Sequence, residues 1–462
     1  MKKNQGNFSG QLGFVLAAAG SAVGLGNIWR FPYLAARDGG GLFLLVYLIL
    51  VVTFGFAMLT TDICIGRRTK ESSIRAYKAM KPGWGFLGKL TFLVPAIIMT
   101  YYAVIGGWIL KYIAVYLTGA GSAASQDGYF GKFITSPVAP LVFMLIFLAL
   151  TAYIVYNGVE KGIERSSRLI MPILIVIIIG TALFALTLSY TDANGVTRTG
   201  MDGLAIYMIP NFDGLTLRGF LNILMDAMSQ LFFSLSIAMG IMITYGSYVK
   251  DDVNLNRAIG HIEVFDTGVA FLAGLMIIPA IFVYSGMEGM ASGPSLMFVS
   301  LPKVFSAMGG IGPIIGFVFF MMVGLAALTS CVSIMETLTA DCIDFFQTSR
   351  KKVTIALFAL YAVLSAVVCL GYNALYMELP LPNGSKAQIL DLMDYISCSF
   401  LMPLVALLSS ILIGWVLTPK WVTDEVEKNG EHFGRKKLFI FMIRYVCPFV
   451  LLILFLQSTG IC

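Results

Sequence analysis

Eleven apolar runs divide this chain, and each is long enough to cross a lipid bilayer as a helix, which takes about 20 residues. Hydrophobic residues make up 58% of the sequence and charged residues only 12%, a balance outside the range of water-soluble domains. Because lipid offers free backbone groups no hydrogen-bonding partner, such runs are expected to be helical. The sequence therefore predicts an all-α polytopic membrane protein with spans near residues 11–36, 41–66, 88–118, 138–157, 167–190, 217–249, 258–285, 311–345, 353–373, 389–417 and 437–459.

Lysine and arginine residues are concentrated in alternate loops. The largest group follows the second span and comprises Arg67, Arg68, Lys70, Arg75, Lys78, Lys81 and Lys89. Since cytoplasmic loops carry the excess of basic residues, this pattern predicts a cytoplasmic N-terminus and a C-terminus outside the plasma (inner) membrane. The net charge of +6 then reflects membrane topology. Nucleic-acid binding is not expected, because no aromatic residues alternate with the basic ones to stack on bases.

The reactive side chains exclude several classes of enzyme. His261 and His432 are the only histidines, so an HExxH zinc site is absent, and neither a GxSxG elbow nor a phosphate-binding loop occurs. The seven cysteines form no CxxC pair and are expected to be buried free thiols. No enzymatic activity and no obligate protein partner are predicted.

The first apolar run is interrupted at its centre by the sequence GSAVGLGN at residues 20–27. Three glycines weaken a helix at a depth where lipid cannot solvate the freed backbone. The spacing of Gly20 and Gly24 is also typical of a helix-packing face, but packing alone supplies no polar partner for Asn27 and Arg30. The interruption therefore predicts a binding site for an ion or a solute.

A second interruption, QLFFSLSIAMG at residues 230–240, lies five spans later in the sixth run. In transporters, inverted repeats place two broken helices opposite each other with the site between them. This spacing predicts one transport domain over residues 1–462, with a first five-helix repeat at 9–190, a second at 217–418 and an accessory helix at 436–460.

The motifs GSAVGLGNIWRFP (residues 20–32), QLFFSLS (230–236) and ALTS (327–330) resemble those of the neurotransmitter:sodium symporter family, in its bacterial amino-acid transporter branch with the LeuT-type fold. The likeness extends from about residue 8 to residue 458. It implies a sodium-coupled symporter that imports a neutral, hydrophobic amino acid by alternating access. The partners implied are an amino acid, sodium ions and the lipid bilayer.

The resemblance further implies two sodium sites built from oxygen ligands, which a hard cation prefers. One would use Ala22, Asn27, Ser234 and Asp266, together with the carboxylate of the substrate. The other would use Gly20, Val23, Ala326, Thr329 and Ser330. An alternative for the two hydroxyl residues is a simple bond to a carbonyl group one helical turn earlier.

At the position of Asp266, many animal members of the family look to have a neutral residue and to use chloride. A carboxylate at this position could replace the anion. We therefore expect chloride-independent transport, with counter-transport of a proton on the empty carrier as a further expectation. A structural Asp that faces solvent at the end of a span is the alternative.

The resemblance also points to a class of substrate. Members that carry monoamines look to have an Asp where this chain has Gly24, and glycine offers a bound ammonium no counter-charge. A zwitterionic amino acid is therefore expected. Its site would be formed by Ser21, Ala22, Leu25, Gly26, Tyr102, Phe233, Ser234, Ser236, Met239, Ser330 and Ile334.

Four residues resemble the gates of the family. Arg30 and Asp394 match the outer pair, and Tyr248 and Asp344 match the inner gate. The usual basic partner of the inner gate is missing, because Gln5 occupies its position; Lys2 or Lys3 is the alternative basic group.

Gly162 and Pro172, which are separated by nine residues in the fifth span, resemble a segment of the family that unwinds to let water reach the inner sodium site. Three other functions remain open: a carrier of an amine or betaine, a sensor that binds an amino acid without transporting it, and a sodium channel.

Overall fold

The computed structural model describes residues 6–192, 195–290, 294–382 and 386–459. In these ranges nine helices are long and apolar enough to span a bilayer, and a pair bent by 52°, Gln11–Ala22 with Gly26–Arg37, makes a tenth. The predicted all-α class is confirmed. The sixth predicted span consists of two shorter helices, Leu217–Ser234 and Ile241–Ser247.

The principal helices follow one another along the chain with short connections. They are α1 (Gln11–Ala22), α2 (Gly26–Arg37), α3 (Gly41–Thr69), α4 (Ser73–Met80), α5 (Pro82–Leu117), α6 (Gly121–Ala124), α7 (Tyr129–Ile134), α8 (Ala139–Tyr156), α9 (Val159–Leu186), α10 (Gly200–Met208), α11 (Leu217–Ser234), α12 (Ile241–Ser247), α13 (Leu255–Ser285), α14 (Leu296–Ala307), α15 (Gly309–Phe346), α16 (Arg350–Leu370), α17 (Ile389–Val416), α18 (Lys420–Val426) and α19 (Lys436–Ser458).

Two small antiparallel hairpins complete the described secondary structure. Ser189–Thr191 (β1) pairs with Thr197–Thr199 (β2), and Leu379–Pro380 (β3) pairs with Lys386–Ala387 (β4). Inside the bundle, α15 packs along α5, α3 along α12, and α9 along α13. These contacts surround the two interrupted helices, so the interruptions lie in the interior of the protein.

Both predicted helix interruptions are present. Between α1 and α2 the helix stops at Val23, whose backbone is extended (ψ 99°). Between α11 and α12 the residues Ser236, Ala238 and Gly240 have positive φ angles of 53°, 61° and 74°, which are unfavourable for the two that are not glycine. The carboxylate of Asp62 accepts a hydrogen bond from the Ala238 amide at 3.1 Å and so stabilises this opened backbone.

The first residues of some predicted spans were wrong. The fifth span begins at Val159 rather than at residue 167, and the third begins at Pro82 rather than at residue 88. The hydropathy of the sequence falls at charged residues, but the helix continues through them because their side chains find partners. Arg168, for example, pairs with Glu164 one turn earlier at 2.6 Å.

The helices α3 and α12 approach each other so closely that only glycine fits at two positions. A Cβ atom at Gly66 would overlap the carbonyl oxygen of Ile243, and one at Gly246 would overlap that of Ile63. We expect Gly66→Ala or Gly246→Ala to destabilise the protein by about 1–3 kcal/mol, the usual cost of overpacking. Thermal unfolding of the purified protein, followed with a thiol-reactive dye, measures this change.

Gly180→Ala is the matched control for these two variants. Gly180 lies within α9, and no heavy atom lies within 4 Å of a Cβ placed there. Removing a glycine from the interior of a helix there is expected to leave stability unchanged or to raise it slightly. Equal melting temperatures for all three variants would contradict the proposed backbone contact.

Candidate functional site

The two interruptions face each other across a small internal cavity. The hydroxyl of Ser21 lies 3.3 Å from that of Ser236, so the opened ends of α1 and α11 are in direct contact. The cavity is lined by Ser21, Ala22, Gly24, Gly26, Ile98, Tyr102, Phe233, Ser236, Met239, Ile241, Ser330 and Ile334. Two of the residues predicted to bind substrate lie elsewhere: Leu25 lines an outer vestibule, and Ser234 belongs to the polar cluster described below.

The cavity is narrow and mostly apolar. About 20 Å³ of it is open to the centre of a water molecule, so a solute of amino-acid size enters only if side chains move. Met239 is suited to this because methionine is flexible and polarizable. Ile98 and Ile241 also line the cavity; they were not predicted, because an isoleucine in an apolar span carries no signal that distinguishes a pocket from a core.

The first polar cluster is centred on Asp266, beside the cavity. Its Oδ1 accepts hydrogen bonds from Asn27 Nδ2 at 2.8 Å and from Ser234 Oγ at 2.7 Å, and all three residues are fully buried. Among the described residues, its other oxygen, Oδ2, has no hydrogen-bonding partner. A buried carboxylate with one free oxygen is costly unless a cation or a proton compensates it, and this set of oxygen atoms suits sodium.

Two more polar residues surround this cluster and were not predicted. Tyr47 lies close enough to Asp266 and Ser234 to interact with both, and Gln230 Nε2 donates to the carbonyl oxygen of Gly26 at 3.0 Å. In the described part of the chain, the Tyr47 hydroxyl and Gln230 Oε1 are buried without a partner. A polar side chain inside an apolar run was the available signal, and Gln230 stood within the second motif.

The second polar cluster lies between α1 and α15. The hydroxyl of Ser330 is 3.1 Å from the carbonyl oxygen of Ser21 and 3.4 Å from that of Val23. Thr329 Oγ1 donates to the Ala326 carbonyl oxygen at 3.0 Å, the ordinary bond to its own helix. Its contact with a cation therefore remains a prediction.

Gly20 completes the second set, since a Cβ at Gly20 would lie 3.5 Å from the Thr329 Cβ. The structure thus brings the opened backbone of α1 against the hydroxyl-bearing face of α15. Ser21, which was predicted only as a substrate contact, also offers its carbonyl oxygen to this cluster.

Close packing leaves no room for a side chain at Gly24 or Gly26. A Cβ at Gly24 would lie 2.7 Å from Ser330 Oγ and 3.2 Å from the Tyr102 hydroxyl, and one at Gly26 would lie 2.6 Å from Phe233 Cδ1. The Tyr102 hydroxyl therefore faces the interruption in the first span, as the predicted substrate contact requires. Gly24 and Gly26 therefore leave the main chain of this interruption without side chains.

A vestibule leads from this site to the side of the protein where α2 ends and α17 begins. It is lined in part by Trp29, Arg30, Tyr101, Tyr102 and Asp394, and about 390 Å³ of it is open to the centre of a water molecule. Phe233 and Tyr102 line both this vestibule and the inner cavity. They are the side chains that separate the two spaces.

The predicted outer pair is not formed in this structure. Arg30 donates to Ser229 Oγ at 2.7 Å, and Asp394 accepts from the Tyr101 hydroxyl at 2.9 Å. Both residues line the open vestibule, and each forms a hydrogen bond with the neighbour just named and not with the other. A direct Arg30–Asp394 ion pair is therefore absent from this conformation, and the role of these two residues as the outer gate stays a prediction.

The opposite side of the site is closed by aromatic packing. Phe8 is buried among Phe14, Tyr245 and Tyr248, with ring centroids 5.5–6.1 Å apart, and its amide donates to the Tyr248 carbonyl oxygen at 3.2 Å. Phe8, which lies just before α1, thus forms an N-terminal plug against α12.

The structure places the two residues predicted for the inner gate in separate contacts. The Tyr248 hydroxyl donates to Glu336 Oε1 at 2.7 Å, and Glu336 forms an ion pair with Arg350 at 2.5 Å. Asp344 instead accepts from the backbone amide of Ser72 at 3.0 Å. Arg350 is a basic group of this cluster, whereas Lys2, Lys3 and Gln5 lie outside the described residues, so the predicted role of Tyr248 and Asp344 as the inner gate stays a prediction.

Charged side chains also join the loops on this closed side. Asp251 lies between Lys70 and Lys428, with both ammonium groups 3.0 Å from its oxygens. Hydrogen bonds from these two lysines hold the pKa of Asp251 below its ordinary value. The loop after α12 is thereby tied to the ends of α3 and α18.

Gly162 and Pro172 both lie in α9, which is helical from Val159 to Leu186. Residues Val159–Glu164 have the wider π-helical geometry and the rest is an α-helix. The expected unwinding between the two residues is therefore not present in this conformation. Gly162 is required by packing, since a Cβ there would overlap the carbonyl oxygen of Ile154.

The fold and the site together define a class of protein: a polytopic helical membrane protein with two broken helices around a polar and apolar binding site. Comparisons with known proteins agree. The family model described as "Sodium:neurotransmitter symporter family" matches residues 5–124 and 133–461. This chain belongs to that family of sodium-dependent transporters, and so it is not an enzyme.

Individual relatives match over nearly the whole chain. An uncharacterized sodium-dependent transporter, YhdH of Bacillus subtilis, is 34% identical over 98% of both chains. The human sodium- and chloride-dependent GABA transporter 2 is 25% identical over 92% of this chain and 75% of its own. The crystal structure of MhsT in complex with L-phenylalanine superposes with a TM-score of 0.85 and 35% identity, covering 98% of this chain and 99% of that one.

Proposed function

We propose that this protein is a sodium-coupled symporter that imports a neutral, hydrophobic amino acid by alternating access. The observation that carries the proposal is the position of the Asp266 cluster. A buried carboxylate with a free oxygen lies beside a cavity whose described lining residues carry no charge. A cation at Asp266 would meet the carboxylate of a zwitterion, whose side chain would occupy the apolar part of the cavity.

The substrate class is supported by the bare glycine at position 24. A substrate amine without its own carboxylate would find no acidic side chain among the described lining residues, and burial of an unpaired charge is costly. An amino acid carries its own counter-charge. The likeness to a structure that holds L-phenylalanine supports a hydrophobic amino acid over the alternative, an amine or betaine.

Two sodium ions are proposed, one in each polar cluster. Each ion that enters down a membrane potential of 100 mV releases about 2.3 kcal/mol, so two ions support strong accumulation of the substrate. If the substrate carboxylate binds the ion at Asp266, each ligand must raise the affinity for the other by the same factor.

Transport is proposed to be independent of chloride, with Asp266 in place of the anion. When sodium leaves, the free Oδ2 of Asp266 is the atom that would take up a proton for the return of the empty carrier. An outward proton movement that requires substrate and sodium, and that disappears in Asp266→Asn, is expected in proteoliposomes loaded with a pH-sensitive dye. Uptake without any such signal would restrict the proposal to chloride independence.

We also propose the orientation in the plasma (inner) membrane and the repeat structure. The N-terminal plug and the paired loops near Asp251 would face the cytoplasm, and the vestibule would open outside, which agrees with the distribution of basic residues. The C-terminal Cys462 lies outside the described residues. Repeats at residues 9–190 and 217–418, with residues 436–460 as an accessory helix, would place the two broken helices as mates. A thiol label reaching Cys398 of the vestibule only from the cytoplasm would contradict this orientation.

Closure of the cytoplasmic side is proposed to depend on the Glu336–Arg350 pair. Arg350→Ala leaves Glu336 buried without compensation, which costs about 3 kcal/mol or more. We expect a cysteine at the buried position of Ser333, beside Tyr245, to react with a polar thiol reagent at least about ten-fold faster in this variant. The rate is measured by mass spectrometry in a background without other cysteines.

Lys351→Ala is the control for the gate variant. Lys351 is the exposed neighbour of Arg350 and lies over the Tyr156 ring at 5.2 Å, so its removal changes the same charge without opening the cluster. An unchanged labelling rate in folded Arg350→Ala, or the same increase in Lys351→Ala, would contradict the proposed gate.

The main test is uptake of labelled amino acids into proteoliposomes with and without an inward sodium gradient. We expect saturable uptake of one or more of phenylalanine, leucine, methionine and tryptophan, with no competition by the matching amines. Gly26→Ala, whose Cβ would meet Phe233, should abolish it, whereas Gly10→Ala, with no neighbouring atom within 4 Å, should not. Sodium-dependent binding without uptake indicates a sensor, uptake of amines or betaine indicates the alternative carrier, and unsaturable sodium flux indicates a channel.

A further inference from the structure

A group of basic and aromatic side chains lies at the start of the third span, away from the transport site. We call it the lysine–tryptophan surface; it comprises Lys78, Lys81, Trp84, Phe86 and Lys89. The three lysines are exposed, and Phe86 is 48% exposed. The Trp84 and Phe86 rings lie 5.8 Å apart.

The local fold brings these residues together. A Cβ at Gly85 would lie 3.3 Å from the Lys78 Cβ, so Lys78 crosses the first turn of α5. Lys89 is four residues after Gly85 and therefore lies on the same face of that helix. The Trp84 amide donates to the Lys81 carbonyl oxygen at 2.9 Å, which holds Lys81 beside the indole.

The lysines of this surface have no acidic partner within the described ranges. Neighbouring basic groups do: Arg75 pairs with Glu71 at 3.8 Å, Lys70 with Asp251 at 3.0 Å and Lys436 with Glu427 at 2.7 Å. Three ammonium groups in one place repel one another unless an anion lies between them. The chain itself supplies none there.

The position of the surface relative to lipid follows from the exposed apolar residues of α5. Phe86 and Leu93, 48% and 43% exposed, lie on one stripe of the helix with Lys89 between them. A lysine in such a stripe extends its ammonium group toward the headgroups, and tryptophan is typical of the boundary between lipid and water. The three lysines therefore reach the level of lipid phosphates.

We propose that the lysine–tryptophan surface binds the headgroup of an anionic phospholipid in the cytoplasmic leaflet. The leaflet follows from the orientation proposed above, but the chemistry of the contact does not depend on it. The opposite face of α4 is held to α15, since Ser73 and the Ile74 amide bond to Asp341, and to α17 through Tyr77 and Ser409. A headgroup bound at this surface therefore contacts α4, the helix that connects the spans α3 and α5.

The test uses the full-length protein in vesicles of phosphatidylcholine and phosphatidylglycerol, where one lipid at a time carries brominated chains that quench tryptophan. The part of the quenching that Trp84→Phe removes reports lipid at this surface. We expect phosphatidylglycerol to be preferred there by about five-fold or more, since one lysine near an anionic surface contributes about that factor. In the Lys78→Gln, Lys81→Gln, Lys89→Gln variant the preference should fall to about one.

A matched variant separates a local site from general surface charge. Lys161, Lys352 and Lys420 are exposed lysines elsewhere on the same side, and changing these three to Gln alters net charge equally; the preference at Trp84 should survive. Equal quenching by both lipids in the unmodified protein would overturn the proposal, as would loss of the preference in the matched variant. Neither result depends on sodium or transport, so failure here leaves the proposed function untouched.

Discussion

Asp266→Asn is expected to lower sodium-driven uptake about 100-fold in chloride-free buffer and to make the remaining uptake respond to chloride. The amide keeps the size of the side chain but removes the charge that would balance a buried sodium ion. Loss of one partner of a buried charge pair costs about 3–5 kcal/mol, and 1.4 kcal/mol corresponds to ten-fold. Initial rates of uptake with chloride or gluconate as the anion measure both effects.

Chloride would have a place to bind in the Asp266→Asn variant. The Tyr47 hydroxyl and Ser234 lie around the position that the charge would leave, and hydroxyl hydrogens are suitable donors to an anion. Asp341→Asn is the control, because Asp341 is also a buried carboxylate in a span but accepts hydrogen bonds from Ser73 and the Ile74 amide of α4, away from the Asp266 cluster. We expect that chloride does not stimulate uptake by the Asp341→Asn variant. If Asp266→Asn were insensitive to chloride, the idea that this carboxylate replaces the anion would be wrong.

The double variant Thr329→Ala, Ser330→Ala is expected to raise the sodium concentration for half-maximal uptake by about 100-fold. The two hydroxyls are the only side-chain ligands proposed for the second sodium site. A polar contact with a charged group contributes about 1.5–3 kcal/mol, so two losses at the lower end account for the change. Uptake as a function of sodium concentration, at saturating substrate, gives this value.

Thr337→Ala, Thr339→Ala is the matched control for the second site. Both threonines are buried in α15 and donate to carbonyl oxygens four residues earlier, at 3.0 Å and 2.8 Å. Unlike Ser330, whose hydroxyl contacts the opened backbone of α1, they bond only to carbonyl oxygens of their own helix among the hydrogen bonds of the described residues. An equal shift in sodium dependence for both double variants would show that the effect is general to the helix and would remove the second site.

The first interruption illustrates what could be predicted from the sequence. Glycines at positions 20, 24 and 26 in an apolar run have few explanations in lipid, and the break, the cavity beside it and the family all follow from that motif. Lys161 and Arg165 illustrate the opposite case. Their charges lower the local hydropathy, so the sequence pattern does not show that α9 already begins before them. Hydropathy is averaged over neighbouring residues and does not register where a long side chain ends.

The gates could not be predicted in the same way. Arg30 and Asp394 match family positions, but whether they meet depends on the width of the vestibule, which is set by how the helices are tilted. Glu336 lies within α15 and Arg350 lies at the start of α16. They come together only because the chain reverses direction between these two helices. Tyr248, 88 residues away from Glu336, joins them through packing of α12.

The amino-acid sequence by itself determined that this chain crosses a membrane as helices, where two of them open, and to which family it belongs. These features are local, since hydropathy, glycine content and motif spacing act within about one helix. Only the tertiary structure decided which polar atoms remain without partners, which residue neutralises the buried Glu336 and which side of the site is closed. Those outcomes depend on distances between helices that are far apart in sequence, and packing of the whole bundle sets such distances.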